Sequence, residues 1–410
     1  MKEPWKTDKW FTSPWNFDEE VVKDFAFPDK IEFHDVSLRD GEQQAGLILN
    51  KEDKVNIAKR LSEIGIHRIE AGLPAISADD EAAIKEIVQL GLDSKIFCFS
   101  RGIISDVKKA VECGVSGIVI EVPASRHIIK YGYGWTIDRA VKASIEATQY
   151  AKEAGLYTVF FPVDATREDI NWFLDHIEHI ATEGHMDALT LVDTLGVCSA
   201  HTIPFVVRKI KDRINKPLEI HFHNDFGLAV GNSLQAIAAG ASVVHTTVLG
   251  IGERTGNASY EDIALALLTL YAKDVGFKYN RIYEMALYMK EVCKLQIPTN
   301  RQIVGDRLFT IESGLLVRAL RKCRNGHILE MMPFIPELVG QKPVNVAMGK
   351  TSGSESINEW LEQLNIELTD EQKDKLLLEV KKRSIQTKSL LSMAEFKELL
   401  VDVIILGKGK

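Results

Sequence analysis

The stretch IEFHDVSLRDGEQQAG, residues 31–46, decides the fold class. Its first seven residues are rich in the β-branched and aromatic side chains that favour a strand, and a polar segment follows them. An open, doubly wound sheet usually carries a glycine-rich phosphate turn after its first strand, whereas no GxGxxG occurs here. The stretch therefore favours the first strand of a barrel.

Seven further strand patterns follow, separated by amphipathic helical patterns that often end on a glycine. The eight candidates are IEFHDVS (31–37), RIEAGLP (68–74), IFCFS (96–100), GIVIEVP (117–123), YTVFFPV (157–163), ALTLVD (188–193), LEIHFHN (218–224) and SVVHTTVLG (242–250). Eight strands, each followed by a helix, over about 240 residues predict an α/β protein with a (β/α)8 TIM barrel.

Beyond about residue 275 the alternation stops and the pattern becomes mostly helical. We therefore predict four segments: an N-terminal arm (1–29), a TIM-barrel catalytic domain (30–275), helical subdomain I (276–335), and a linker with helical subdomain II (336–410). The arm is rich in tryptophan and phenylalanine, so we expect it to pack on the domain or on a partner subunit.

Composition excludes several classes of protein. The 410 residues are 45% hydrophobic and 26% charged, as in soluble globular proteins. A net charge of −8 disfavours nucleic-acid binding, and no apolar run predicts a membrane span or a secretory signal. The five cysteines contain no CxxC pair and suit a reducing compartment. We expect a cytoplasmic protein with neither nucleic-acid nor membrane partners.

Two histidines in IHFHNDFG, residues 220–227, are the first indication of a site. Residues i and i+2 of a strand share a face, so we expect His221 and His223 to point together into the barrel. A structural role is the simpler interpretation of two histidines alone. Asp40 after strand one and Asn257 after strand eight add oxygen ligands at the same mouth. This mixed set predicts a divalent metal, namely Mg, Mn, Co or Zn.

Three further side chains are candidates for binding a substrate. Arg39 lies beside the carboxylate of Asp40, where a guanidinium can polarise a carbonyl or hold an enolate, although a salt bridge is the simpler interpretation. Gln43 could hydrogen-bond the same ligand. Thr194, at the end of strand six, offers a hydroxyl to a carboxylate, although a threonine there is usually a cap.

Six motifs in one order carry a resemblance to a known family. HDVSLRDGEQQAG, RIEAGLP, DATRED, VDTLG, HFHNDFGLA and GIGERTGNAS resemble the motif set of the DRE-TIM metallolyases, which have a pyruvate carboxyltransferase-like barrel. The branch they resemble comprises isopropylmalate, homocitrate, citramalate and Re-citrate synthases. The later PELVG, MGKTSG, LNIELTDEQ and VKKRS resemble the two subdomains that follow the barrel in these synthases.

The resemblance implies a reaction, a metal site and a homodimer. In these synthases acetyl-CoA, or another acyl-CoA, condenses with the ketone of a 2-oxo acid and CoA is released by hydrolysis. The product is a 2-hydroxy-2-alkyl dicarboxylic or tricarboxylic acid. Arg39 would stabilise the developing alkoxide and Thr194 would hold the 2-oxo carboxylate. The implied metal ligands are Asp40, His221, His223 and Asn257.

The segment FTIESGLLVRA, residues 309–319, departs from the family. Ile311 and Leu316 replace two histidines, the second of which is the proposed base or relay, and leucine cannot move a proton. Glu312 and His327 are our candidate catalytic replacements. The simpler interpretation is that both are ordinary surface residues.

The fifth strand departs as well. It reads FFPVDATR, so that Phe161 and Val163 stand where the family often has a serine and a glutamate. The substituent pocket is therefore predicted to be apolar on that side. This argues against a 2-oxo acid with a distal carboxylate, because a buried carboxylate without a cation is costly. The loop after strand four offers Arg126, His127 and Lys130.

Three functions remain open. An acyl-CoA-dependent condensing enzyme is favoured by the retained C-terminal subdomains. A metal-dependent C–C lyase or aldolase would explain the lost histidines, because retro-aldol chemistry needs only the metal, the arginine and a modest base. A catalytically silent paralogue is disfavoured by the intact set of metal ligands. The 2-oxo acid, the acyl donor and the metal stay open.

Overall fold

Eight parallel strands close into a barrel in a computed structural model that describes residues 3–324 and 326–407. The strands follow one another in chain order, and β1 pairs with both β2 and β8. They are β1 (Glu32–Asp35), β2 (Arg68–Glu70), β3 (Lys95–Arg101), β4 (Gly117–Pro123), β5 (Tyr157–Val163), β6 (Ala188–Asp193), β7 (Leu218–Phe222) and β8 (Val243–Thr246). The predicted (β/α)8 barrel is confirmed.

Each barrel strand is followed by a helix, so the β/α alternation of the sequence is complete. The second helix begins with a reciprocal capping box between Asn50 and Asp53 and ends at Gly65, whose φ of 108° suits a residue without a Cβ. The helices of this part of the chain are α1 (Glu19–Val22), α2 (Lys51–Ile64), α3 (Ala78–Gln89), α4 (Ile104–Cys113), α5 (Ile137–Glu153), α6 (Ile170–Glu183), α7 (Thr202–Arg213), α8 (Ala229–Ala238), α9 (Tyr260–Leu270) and α10 (Ile282–Val292).

One layer of the barrel interior is apolar and another is polar. The apolar layer is built from Phe97, Phe99, Val119, Val159, Phe161, Ala188 and Val192. The polar layer contains His34, Glu70, Glu219 and His245, all fully buried. Its two histidine rings stack with their centroids 4.4 Å apart, and each faces a carboxylate. Arg68 donates to Glu219 at 2.8 Å, which offsets the cost of burying that charge.

Contacts divide the chain into two compact units. One is Pro14–Gln296, which contains the barrel, and the other combines Met1–Ser13 with Ile297–Lys410. The sequence placed the end of the barrel domain near residue 275, whereas the barrel unit extends further because α10 packs against α2. The five cysteines, all within the described residues, are free.

The C-terminal unit is mostly helical, as predicted. Its elements are β9 (Thr310–Ile311), α11 (Gly314–Cys323), β10 (Asn345–Val346), α12 (Ser354–Leu364), α13 (Asp370–Thr387) and α14 (Met393–Gly407). Trp360, Leu376, Phe396 and Leu400 belong to the apolar core that these last three helices share.

The first residues of the arm pack within this C-terminal unit. The Phe11 N–H donates to the Pro333 carbonyl, and the Ile335 N–H donates to the Lys9 carbonyl, both at 2.9 Å. Trp10 is buried, with 8% of its surface exposed. The expectation that this part of the arm packs on the folded chain is confirmed for residues 3–13.

Within the described ranges, no helix has both the length and the apolar character needed to cross a bilayer.

The buried His176 on α6 makes a testable contribution to acid sensitivity. It stacks on Trp172 with ring centroids 4.8 Å apart, and burial lowers its pKa to about 4. Between pH 6.5 and 4 the unfolded chain therefore binds a proton that the folded chain does not, so stability falls as the pH falls. We expect His176→Phe to reduce the loss of unfolding free energy between pH 7.5 and pH 5 by about 2 kcal/mol.

Urea unfolding at both pH values measures this effect. The control is His201→Gln, which removes an exposed histidine instead of a buried one. Equal pH dependence in wild type and His176→Phe would show that His176 does not carry the effect.

Candidate active site

Three predicted metal ligands converge at the C-terminal mouth of the barrel. Asp40 lies in the turn after β1, His221 is near the end of β7, and His223 follows that strand directly. The Nε2 atoms of the two histidines are 3.3 Å apart and lie 3.6 and 3.8 Å from Oδ2 of Asp40. All three side chains are buried. The alternation inferred from the sequence therefore brings the two imidazoles together as predicted.

Asn257 completes the group from the loop after β8. Its Nδ2 donates to Oδ1 of Asp40 at 2.6 Å and to the Ile251 carbonyl at 3.1 Å. An isolated antiparallel bridge to His223 fixes its backbone. The four predicted ligands thus form one cluster, although they come from three separate segments of the chain.

The protonation states of this cluster suit a cation. Burial lowers the pKa of His221 to about 3, and it also lowers the pKa of His223, so both imidazoles are neutral near pH 7. Burial alone would raise the pKa of Asp40, but the charge of Arg39 holds it well below its usual range. One carboxylate and two neutral imidazoles are the donors that a divalent transition metal prefers.

Some buried polar atoms at this cluster have no hydrogen-bond partner among the described residues, as expected where a ligand binds. Among the described residues, the buried atoms without a hydrogen-bond partner include Oδ1 of Asn257 and Nη2 of Arg39. Buried polar atoms are normally paired. Among the described residues the oxygen has no donor and the guanidinium nitrogen has no acceptor, so the oxygen can bind a cation and the nitrogen an anionic ligand.

Arg39 is held rigidly beside these ligands. Its Nη1 donates to Oδ2 of Asp40 at 2.7 Å, and its Nε donates to the carboxylate of Glu70. The guanidinium carbon lies 4.1 Å from the ring centroid of Phe99, a cation–π contact. The opposite charges of Glu70 and Asp40 raise the pKa of Arg39 against the effect of burial. A permanent positive charge is therefore fixed where a developing anion could be stabilised.

Thr194 and Gln43 occupy different positions at this mouth. Thr194 follows β6, and its Oγ1 accepts the Asp164 N–H at 2.8 Å, which leaves the hydroxyl hydrogen available for a ligand. Gln43 is exposed and lines, together with Arg39, a cavity of about 250 Å³ that also includes Leu38 and Leu73. Their roles as substrate-binding residues remain predictions.

The wall beside the histidines is apolar. The ring of Phe161 packs edge-on against His221 with centroids 5.1 Å apart, and Phe161 is buried. Val163 lies two residues further along β5 and is partly exposed. Phe161 thus gives the cluster an apolar neighbour on this side, and the apolar substituent pocket remains a prediction.

Glu312 and His327 belong to the C-terminal unit. Glu312 follows β9, is partly buried, and its Oε1 accepts the Thr351 N–H at 2.7 Å. His327 is exposed in the turn after α11. Ile311 is buried and Leu316 is exposed. The catalytic roles of Glu312 and His327 therefore remain predictions.

Two carboxylates near strand ends were not among the site residues predicted from the sequence. Glu70 ends β2 and anchors Arg39, and Glu121 lies near the end of β4. The signal was available, because each is an isolated acidic residue in an apolar strand pattern, RIEAGLP and GIVIEVP. A charged residue in such a strand is costly unless it is paired or used.

The fold and the site together define a (β/α)8-barrel protein with a candidate metal centre at the C-terminal ends of its strands. Comparison with known proteins gives the family. The HMGL-like family model matches residues 30–288, and the model described as homocitrate synthase post-HMGL domain-like matches residues 303–388. The chain therefore belongs to the HMGL-like family.

Relatives with three different names match most of the chain. It is 35% identical to homocitrate synthase AksA of Methanothermobacter thermautotrophicus, over 91% of this chain and 93% of that protein. It is 35% identical to 2-isopropylmalate synthase 2 of Caldanaerobacter subterraneus subsp. tengcongensis, over 92% and 96%. It is 37% identical to (R)-citramalate synthase CimA of Methanocaldococcus jannaschii, over 86% and 70%.

Solved structures support the fold. The HMG-CoA lyase of Bacillus subtilis has a TM-score of 0.59 at 21% identity and matches 67% of this chain and 97% of its own. The carboxyl transferase domain of Rhizobium etli pyruvate carboxylase has a TM-score of 0.53 at 16% identity and matches 64% of this chain and 47% of its own. At these identities the likeness concerns the barrel fold alone.

A glycine in the loop before Asn257 tests the proposed cluster. A Cβ at Gly252, whose φ is +147°, would lie 2.7 Å from Oδ1 of Asp40 and would collide with the amide of Asn257. Gly252→Ala should therefore displace both side chains and weaken divalent-metal binding about 10- to 100-fold. Titration of the metal-free protein with Mn²⁺ or Zn²⁺ in a calorimeter measures the affinity.

The matched control is Gly276→Ala, which places the same side chain at a φ of +81° where no atom lies within 4 Å. It carries the backbone strain without the collision, so its metal affinity should equal that of the wild type. Equal affinities in both variants would remove Asp40 and Asn257 from the proposed metal site.

Proposed function

We propose that this protein is a divalent-metal-dependent acyltransferase that condenses acetyl-CoA, or another acyl-CoA, with a 2-oxo acid. The observation that carries the proposal is the cluster of Asp40, His221 and His223 with the guanidinium of Arg39 attached to it. A divalent ion bound there would hold the 2-oxo acid and polarise its ketone. The relatives' names, which denote synthases of three related hydroxy acids, support the same chemistry.

The residues of this chain account for the electrostatic part of such a reaction. Addition to a ketone turns a neutral carbonyl oxygen into an alkoxide, and Arg39 carries a fixed positive charge whose Nη2 has no acceptor among the described residues. Its orientation is set by Glu70 and Asp40, so little reorganisation is needed as the charge develops. Thr194 would donate its hydroxyl to the 2-oxo carboxylate. Gln43 would hydrogen-bond the same substrate from the rim.

The condensing function is favoured over the metal-dependent lyase or aldolase. The post-HMGL domain model matches residues 303–388, in addition to the barrel. The lyase of Bacillus subtilis, by contrast, is matched over almost its whole length by only 67% of this chain. The segment beyond the barrel therefore favours a synthase over a lyase.

We further propose a cytoplasmic homodimer that uses Mg, Mn, Co or Zn. The donor set of one carboxylate, two imidazoles and an amide oxygen accepts each of these ions. The five cysteines are free, as suits a reducing compartment. Light scattering should give twice the chain mass of 45.9 kDa, and a monomeric mass would contradict the dimer.

Release of free CoA tests the reaction. Metal-reconstituted protein is given acetyl-CoA with pyruvate, oxaloacetate, 2-oxoisovalerate or 2-oxoglutarate, and the thiol is measured. We expect release with at least one 2-oxo acid, its loss after chelation and its return with metal. Asp40→Ala should lower kcat at least ~10³-fold, because it removes a metal ligand and the partner of Arg39.

The control is Asp93→Ala, an exposed aspartate before β3 at the opposite rim, which should retain full activity. Full activity in Asp40→Ala would eliminate the metal mechanism. Silence of the wild type across the panel with metal bound would favour the lyase or a different acyl donor.

The apolar wall predicts which 2-oxo acids are accepted. Phe161 and Val163 offer no cation to a distal carboxylate. We therefore expect kcat/KM for 2-oxoisovalerate or pyruvate to exceed that for 2-oxoglutarate by at least ~10-fold. Steady-state kinetics with the same panel give the ratio. A preference for 2-oxoglutarate would show that a cation reaches the pocket from elsewhere.

A further inference from the structure

A carboxylate with no assigned role faces into the barrel near its mouth. Glu121 continues the alternation on β4 that places Val119 in the apolar layer, so its side chain is on the inner face. Its Cα partners on the neighbouring strands are Arg101 of β3 and Phe161 of β5. Phe161 is the residue whose ring contacts His221. Glu121 is therefore next to the wall of the candidate metal site.

The charge of Arg39 connects Glu121 with the site. The Arg39 guanidinium lies over Phe99 and is 5.7 Å from the ring centroid of Phe161. Burial raises the pKa of Glu121, and the charge of Asp40 adds to this effect. The Tyr133 hydroxyl and the charges of Arg39 and Arg101 oppose it. A carboxylate whose pKa is raised is a better proton acceptor than one exposed to water.

Tyr133 holds this carboxylate in place. Its hydroxyl donates to Oε1 of Glu121 at 3.0 Å, and its ring packs edge-on against Trp135 with centroids 5.4 Å apart. Tyr133 directly follows a π-helical turn, Ile128–Gly132, in the loop after β4. The hydrogen bond occupies Oε1, so Oε2 is the oxygen that can accept a proton.

The proposed condensation needs such an acceptor. Leu316 and Ile311 cannot move a proton, and Val163 stands where a glutamate was expected. In the sheet register Pro123 pairs with Val163. Glu121 precedes Pro123 by two residues, so it lies two residues further from the C-terminal mouth on the adjacent strand. This chain thus has a carboxylate on β4, next to the β5 position where the resemblance led us to expect one.

We propose that Glu121 is the catalytic base that removes a proton from the methyl group of the acyl-CoA, with Tyr133 as its positioning residue. This rests on the proposed function. The C–H bond breaks and its proton moves to Oε2 of Glu121. The electron pair forms the new C–C bond to the ketone carbon, and the ketone π electrons move to oxygen beside Arg39. The alkoxide takes up a proton, and water then hydrolyses the thioester and releases CoA.

The first test is Glu121→Gln, which keeps the shape and removes the basic oxygen. We expect kcat for CoA release to fall 10²- to 10⁴-fold. The KM for the 2-oxo acid and the calorimetric metal affinity should stay within about 3-fold, because the base acts only after both are bound. Glu32→Gln removes a carboxylate from the start of β1, at the opposite rim, and should retain kcat.

The second test is Tyr133→Phe, which also decides the matter if Glu121→Gln does not fold. Loss of the hydroxyl removes a hydrogen bond to the charged form of Glu121, so the pKa of the base rises. A base works only when deprotonated, so the acidic limb of the kcat–pH profile should shift to higher pH. A merely structural defect would lower kcat equally at every pH.

Three results would overturn the assignment, and they are distinguishable. A wild type that releases no CoA with any 2-oxo acid removes the proposed function and the base with it. An active wild type with a Glu121→Gln variant within about 3-fold of its kcat removes the base alone. A Glu121→Gln variant with full kcat and an altered choice of 2-oxo acid would make Glu121 a specificity residue instead.

Discussion

The mouth of the barrel depends on the contact between Glu70 and Arg39. The buried carboxylate of Glu70 accepts a hydrogen bond from Nε of Arg39, while its other oxygen lies 3.2 Å from Nε2 of His34. One side chain thereby joins the turn that carries Asp40 to the polar layer of the interior. An unpaired ion at this depth would cost several kcal/mol, so each partner requires the other. The charge pattern holds the pKa of Glu70 at about 2 and keeps the pair ionised.

This arrangement prepares a site before any ligand arrives. Pairing keeps the carboxylate of Asp40 ionised, while burial keeps the imidazoles of His221 and His223 neutral. Both states are the ones that coordinate a cation. The loop with Asn257 approaches so closely that position 252 accepts only a residue without a Cβ. Charge pairing and steric exclusion thus favour the same arrangement of the four predicted metal ligands.

Much of this could be predicted from the sequence because its rules are local. The β/α alternation gives the barrel, and the i, i+2 spacing of His221 and His223 gives their shared face. Glu70 and Glu121 stand out as single acidic residues in apolar strand patterns, but their partners, Arg39 and Tyr133, come from other segments and become evident only in the fold. The polar layer depends on register between strands, which the sequence does not state. The packing partner of the arm likewise required tertiary contacts.

The arm has a consequence for how the chain is made. Residues 3–13 are synthesised before the barrel, yet the backbone partners of Phe11 and Lys9 are Pro333 and Ile335, which follow it. The barrel, Pro14–Gln296, is synthesised between the two parts of the C-terminal unit. The barrel can therefore begin to fold during translation, whereas the C-terminal unit must wait for the helices that follow the barrel. Synthesis from the N-terminus thus separates the folding of the two units in time.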